Sequence, residues 1–265
     1  MAKIYKPKSL QELKELVNDN SVHLGDIDTS LITDMTELFK DSKRKNFNGL
    51  ETWDTSNVTT MKGMFYRAKY FNHPIGDWNV AKVEDMTFMF CEAPAFNQPL
   101  EKWNVSNVRC MESMFAWAYS FNQPIERWDV SSVCNMRAML YFAKSFNQPL
   151  NNWNVSKVYT ITCMFGGAKS FNQPLDKWDI SRVETAEMMF KNATSFNQPL
   201  NMWQISRDCD VNDMFLNVPC FSDVKILTLN FAHTNKMRYR EYLKEFQMYR
   251  ICVRCLAKRQ ASTNH

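Results

Sequence analysis

The sequence predicts an α/β repeat solenoid with a helix at each end, and three observations carry that reading. First, the block Phe-Asn-Gln-Pro-Leu/Ile-x-x-Trp recurs at Phe96–Trp103, Phe121–Trp128, Phe146–Trp153, Phe171–Trp178 and Phe196–Trp203. A variant with His73 in place of Gln runs from Phe71 to Trp78, and a shorter copy from Phe47 to Trp53. Second, Trp53, Trp78, Trp103, Trp128, Trp153, Trp178 and Trp203 follow one another at intervals of 25 residues without a slip. A fixed period of roughly 20–50 residues marks a stacked repeat array. Third, one such repeat orders more chain than its few large apolar side chains offset, so only stacking stabilises it. Seven of the eight tryptophans sit on the lattice, which makes Trp architecture before it is function.

The elements follow in chain order. Residues Ser9 to Asp19 read as an amphipathic helix, with Ser9 as N-cap, Glu12 completing a capping box and Leu10, Leu13, Leu16 and Val17 as the apolar face. This helix and its approach, residues 1–23, are expected to cover the first turn of the array. The repeat region spans 24–231. In its first turn Ile27 takes the tryptophan place, and the insert Asp41-Ser-Lys-Arg-Lys45 is expected to bulge as a solvated basic loop.

Each regular turn has two halves. Ser106, Val108, Met111, Met114, Phe115 and Ala118 have the steps of three and four of a helix face, with Ser as its N-cap. The second half has Pro to end the helix and a Trp-Asn-Val stretch whose alternation predicts a short strand. Stacked strands lie about 4.8 Å apart, whereas packed helices need roughly 8–10 Å. A true α-helix in each turn would therefore curve the array with its strands inside; a narrower 3₁₀ turn would leave it straighter. Val224–Phe231 reads as a terminal strand, and 232–265 as a basic helix and tail. There Tyr239, Tyr242, Phe246, Tyr249, Val253 and Leu256 form an apolar stripe opposite Lys236, Arg240, Lys244, Arg250 and Arg254.

Composition limits the function classes. The net charge is +4, yet Thr234 to His265 holds eight Lys/Arg against two Glu, a net of +6, so an acidic partner would meet the C-terminal end. No signal peptide is read in the basic first residues and no apolar run approaches a membrane span. The eight cysteines do not recur with the repeat, which predicts reduced thiols in an intracellular compartment.

The pattern Met-Phe-x-x-Ala-x-x-Phe-Asn-Gln-Pro-Leu-x-x-Trp-Asn/Asp-Val-Ser-x-Val-x-x-Met resembles the BspA-type leucine-rich repeats over roughly Leu24 to Phe221. It is most similar to the methionine-, phenylalanine- and tryptophan-rich variety of mycoplasma-type surface lipoproteins, protist surface proteins and large DNA viruses. The resemblance implies a leucine-rich-repeat-like fold and a role in adhesion or protein–protein contact, and, with no signal peptide or lipid-attachment cysteine read near the start, an intracellular or virion location. It implies no catalytic residues.

Few motifs carry chemistry. The Met-x-x-Met pairs read as core filling rather than a thioether metal site. The ladder Asn72, Asn97, Asn122, Asn147, Asn172 and Asn197 is expected to satisfy backbone groups at each corner. Cys252 and Cys255 form one CxxC pair with no second pair, candidate thiols for zinc or redox chemistry. No Gly-rich phosphate loop, His-Glu-x-x-His or nucleophile–histidine motif is present, so no enzyme, cofactor or small-molecule substrate is expected. The candidate contact residues are polar residues flanking the tryptophans, Lys102, Arg127, Lys177, Asp129 and Asp179, and the off-lattice pair Trp117 and Phe142. The sequence therefore predicts a non-enzymatic interaction or structural module that recruits a protein partner or packs into an assembly. The alternative is a nucleic-acid-associated protein using the basic C-terminal helix.

Overall fold

A computed structural model describes residues 3–219 and 230–231. The chain begins with α1 (Leu10–Asn18), followed by 3₁₀ helices at Leu24–Asp26 and Leu50–Thr52. Beyond these it runs as 25-residue coils stacked in register. Parallel bridges join Asp34 to Thr60, Asp85, Cys110, Asn135, Thr160, Thr185 and Asp210 in succession, one rung per coil. Near the C-terminal end β1 (Gln204–Ile205) pairs in parallel with β2 (Asn230–Phe231). Of the run expected as a terminal strand, those last two residues alone are described. The expected C-terminal helix, with Tyr239, Tyr242, Phe246, Tyr249, Val253, Leu256, Cys252 and Cys255, lies outside the described residues.

The half-turn expected to be helical is a run of tandem β-turns. In the coil from Met86, the amides of Met89, Cys91 and Ala93 close turns onto the carbonyls of Met86, Phe88 and Phe90, each at 3.1 Å. The alternate amides leave the coil: Met86, Phe88, Phe90 and Glu92 donate to Cys110, Glu112, Met114 and Ala116 of the next, at 2.8–3.0 Å. With the Thr87 amide donating to Asp85 Oδ1 at 2.8 Å, every backbone amide from Met86 to Ala93 is used without a helix. Spacing decides between the two forms. Phe65, Phe90 and Phe115 stack at 5.6 and 5.5 Å, far inside the roughly 8–10 Å that neighbouring α-helices require. The run of turns places Met86, Met89, Phe90 and Ala93 on one inward side, which is why it imitates helical spacing.

Two further expectations change with it. Serine is not a helix N-cap; the amide of Ser106 instead donates to Asn104 Oδ1 at 3.1 Å, and Ser131 to Asp129 at 3.0 Å, an Asx turn in each coil. The Trp-Asn-Val stretch alternates buried, exposed, buried as expected. Its ladder pairing is confined, among the described residues, to Gln204–Ile205, and the bridging row falls a few residues later, just before the first methionine.

The core is one continuous set of ladders. Phe90 and Phe96 stack within a coil at 4.0 Å, as do Phe115 and Phe121 at 3.9 Å. Each lattice tryptophan is buried and donates its indole N–H to a carbonyl of the preceding coil, for example Trp128 to Leu100 at 3.0 Å and Trp153 to Ile125 at 3.1 Å. The asparagine ladder caps the corner: Asn97 Oδ1 accepts the Asn122 amide at 2.9 Å and Gln123 Nε2 at 3.1 Å. Helix α1 closes the first coil with Leu13 and Val17 buried in the same core. The Glu12 amide donates to Ser9 Oγ at 3.2 Å, and Glu12 Oε2 accepts from the Lys8 amide at 2.8 Å. The basic insert is more than a solvated bulge. Arg44 Nη2 donates to the carbonyls of Val17 at 2.9 Å and Asp19 at 3.4 Å, satisfying orphan carbonyls at the helix C-terminus. Burial pulls the Arg44 guanidinium below its usual range, opposed by the Asp19 charge.

Candidate interaction surface

The turn run sets up a surface column. Its closing turn in each coil requires a left-handed third residue, the type II geometry. Arg67, Glu92, Trp117, Phe142, Gly167 and Asn192 occupy that position at φ +58°, +54°, +56°, +55°, +69° and +61°. Asp41 (+55°) and Asn217 (+62°) extend the column at either end. Because the coils are in register, these residues stand one above another, and several of them meet in blocks.

The column is built in blocks. Arg67 bridges Asp41 at 3.8 Å and Glu92 at 3.3 Å. The rings of Trp117 and Phe142 stack at 6.1 Å, within 6° of parallel. Tyr141 sets its edge against both, at 4.9 and 4.7 Å. Gly166 and Gly167 make room for this cluster: a Cβ on Gly166 would lie 2.9 Å from the Tyr141 ring, and one on Gly167 2.9 Å from the Phe142 ring. Asn217 Nδ2 then donates to Asn192 Oδ1 at 2.9 Å. Trp117, Tyr141 and Phe142 are half-buried, covering one another while keeping an outer edge in solvent. Beside them Tyr119 is 38% exposed, with Lys144 Nζ 4.1 Å over its ring. Glu92, Pro94, Trp117 and Tyr119 enclose a shallow cavity of 370 Å³.

Trp117 differs from the lattice tryptophans in one chemical respect. All seven of those use the indole N–H within the fold. Among the described residues Trp117 has no such acceptor, and its indole nitrogen is not among any buried polar atoms left unsatisfied, so the N–H is not sealed in the core.

The polar residues flanking the tryptophans form a separate row. Lys102 pairs with Asp77 at 2.7 Å, and Lys177 Nζ donates to Asn152 Oδ1 at 3.1 Å. Arg127 is exposed, with no side-chain partner among the described residues. Asp129 and Asp179 accept the amides of Ser131 and Ser181 at 3.0 Å. Hydrogen bonds from those serines' side chains and amides hold both carboxyls below the usual range. Their first task is thus the Asx turn. No hydrogen bond, ion pair or ring contact joins this row to Trp117 or Phe142 among the described residues.

Thiols contribute little. Cys91 is buried, and burial pushes its thiol up to about 12. Cys110 accepts from Thr87 Oγ1 at 3.1 Å, and burial raises it as well. Neither is a ready nucleophile at neutral pH.

The sequence aligns Arg67, Glu92 and Gly167 with Trp117 and Phe142 one repeat apart, but reading by residue type missed Tyr141, Tyr119, Pro94 and Gly166. The available signal was the doublet Gly166-Gly167 in a chain with six glycines, directly one repeat beyond Tyr141-Phe142.

In-register coils of 25 residues, tied by backbone bridges and ring ladders, define a repeat protein. The chain belongs to the family described as Mycoplasma protein of unknown function, DUF285, whose model matches residues 8–128 and again 111–226. Comparison with curated proteins and with solved structures returned no match. Among the described residues no helix is long and apolar enough to cross a membrane.

Proposed function

We propose that this chain is a leucine-rich-repeat-like solenoid of the BspA kind, a non-enzymatic module that binds another protein through the Trp117–Tyr141–Phe142 platform. The observation that carries the reading is the Trp117 indole: half-buried, stacked on Phe142, and, of the eight tryptophans, the one whose N–H has no acceptor among the described residues. Rigid aromatic anchors with a spare donor are the side chains that dominate protein interfaces. The packing behind it, Gly166 and Gly167 against Tyr141 and Phe142, fixes the platform before a partner arrives. The test places a photo-crosslinking residue at Ser145, an exposed neighbour of Lys144, in the full chain within its native cell. One discrete crosslinked protein is expected, lost in Trp117→Ala/Phe142→Ala but retained in Lys82→Ala. Crosslinks unchanged by the aromatic double variant would refute the reading.

A second reading rests on the +6 net charge of Thr234–His265: association with nucleic acid through that segment. Binding would then weaken steeply with salt and disappear when the chain is ended at Phe231.

A further inference from the structure

The two faces of the Trp117 ring are unlike. Phe142 from the following coil covers one. Against the other, among the described residues, no ring or cation lies. Register alone would bring Glu92 there, but Glu92 is drawn toward the preceding coil. Tyr66 Oη donates to its Oε1 at 3.3 Å, and Arg67 Nε reaches Oε1 at 3.4 Å and Oε2 at 3.3 Å. What remains is the 370 Å³ cavity, with an aromatic face on one side, a carboxylate on the other, and Pro94 and Tyr119 as walls.

The charge in that cavity is negative. Arg67 is one cation shared by two carboxylates, Asp41 and Glu92. Lys144 reaches Tyr119 from the following coil, and Lys40 pairs with Glu37 and lies over the Tyr66 ring; neither lines the cavity. The molecule also holds an internal template. The Arg67 guanidinium lies 4.8 Å from the centroid of the Tyr66 ring while paired to Glu92. Flat cation, aromatic ring and this same carboxylate are already assembled once, on the other side of Glu92.

We propose that the cavity receives the guanidinium of an arginine on a partner polypeptide, stacked on the open face of Trp117 and paired with Glu92. A planar, forked guanidinium matches both surfaces, where a compact ammonium matches only the charge. This rests on the reading of the Trp117 platform as the contact surface and names what the partner brings to it.

The test uses the full-length protein labelled at its indole nitrogens, titrated with Nα-acetyl-arginine amide and with its neutral isostere Nα-acetyl-citrulline amide. Seven indole N–H groups are held by carbonyls within the core, so one resonance, the one missing in Trp117→Phe, should move. A single side chain should bind with a dissociation constant on the order of millimolar. Citrulline should bind roughly tenfold more weakly, and Glu92→Gln should bring the arginine probe down to the citrulline level. Equal shifts from both probes, or an arginine shift indifferent to Glu92→Gln, would overturn the guanidinium assignment while leaving the platform reading intact. Absence of any shift with arginine would overturn it too. If the Ser145 crosslink also persists in the aromatic double variant, the platform reading falls with it.

Discussion

Gly167 offers the sharpest check on the packing behind the platform. A Cβ at Gly167 would stand 2.9 Å from Cγ, Cδ1 and Cδ2 of Phe142, well inside van der Waals contact. The ring cannot step aside, because Trp117 stacks on it at 6.1 Å and Tyr141 abuts it at 4.7 Å. Gly167→Ala therefore carries two costs. Holding a non-glycine residue at φ +69° costs on the order of 1 kcal/mol, a cost the column already bears at Trp117 and Phe142. Forcing the ring contact adds about 1–3 kcal/mol of overpacking. In a Phe142→Ala background the second cost vanishes and the first remains. A double-mutant cycle by urea denaturation, followed by circular dichroism, should yield a coupling of about 1–3 kcal/mol between the two positions. If Gly167→Ala costs the same in both backgrounds, the glycine is not there to seat the ring, and the account of the platform's rigidity is wrong.

Three other outcomes follow from the geometry. Arg44→Ala should leave the Val17 and Asp19 carbonyls without their donor and cost about 1–2 kcal/mol, with faster amide exchange at Leu13 and Val17 and no change beyond the second coil; unchanged exchange in α1 would contradict the cap. Asp28 is held down to about 2 by the Ser30 side chain and amide and by Lys6. Because that value lies below the ordinary 3.8, the contribution is present above about pH 4 and is lost as pH falls toward 2. Asp28→Asn, which keeps the Asx turn as Asn104 does, should flatten the pH dependence of the urea midpoint in that window; an unaltered slope would remove Asp28 from the account. Cys91, with its thiol pushed up to about 12 by burial, should resist a thiol reagent at pH 8 in the folded chain and react only in denaturant, read by mass spectrometry; rapid labelling in the folded protein would refute its burial.

What the sequence disclosed was periodicity, and with it the identity of nearly every core position. Met111, Met114, Phe115, Ala118, Phe121, Ile125 and Trp128 are all buried, as their place in the repeat requires. The local backbone was less legible, for a physical reason. A run of tandem β-turns sends apolar residues inward at steps of three and one, and so does a helix. Only the distance between coils separates the two, and distance is not written in one repeat. The left-handed positions were hidden for a related reason. Phe88, Ser113, Ala138, Cys163 and Met188 share φ near +55° without sharing a residue type, because hydrogen bonds to the flanking coils, not glycine, hold the backbone there. Arg44 escaped because an insert has no counterpart elsewhere in the array against which to read it.

The same physics explains why the Trp117 column is the place to look for function. In a stack of coils each side chain meets its equivalents one repeat away, so a buried column settles on one solution and repeats it: Phe71, Phe96, Phe121, Phe146, Phe171 and Phe196 are identical. An outward column is free of that demand. The one through Trp117 changes at nearly every coil, from Asp41 to Arg67, Glu92, Trp117, Phe142, Gly167 and Asn192. Its left-handed backbone favours Gly, Asn or Asp, which the end positions use. Trp117 and Phe142 hold it against that preference, at about 1 kcal/mol each. Both rings remain half-buried at the surface, while their neighbours Ala116, Ala118 and Ala143 are fully buried. A local backbone cost offset only by the rings' contacts with one another, beside a cavity lined by Glu92, is what a surface shaped for a partner would leave.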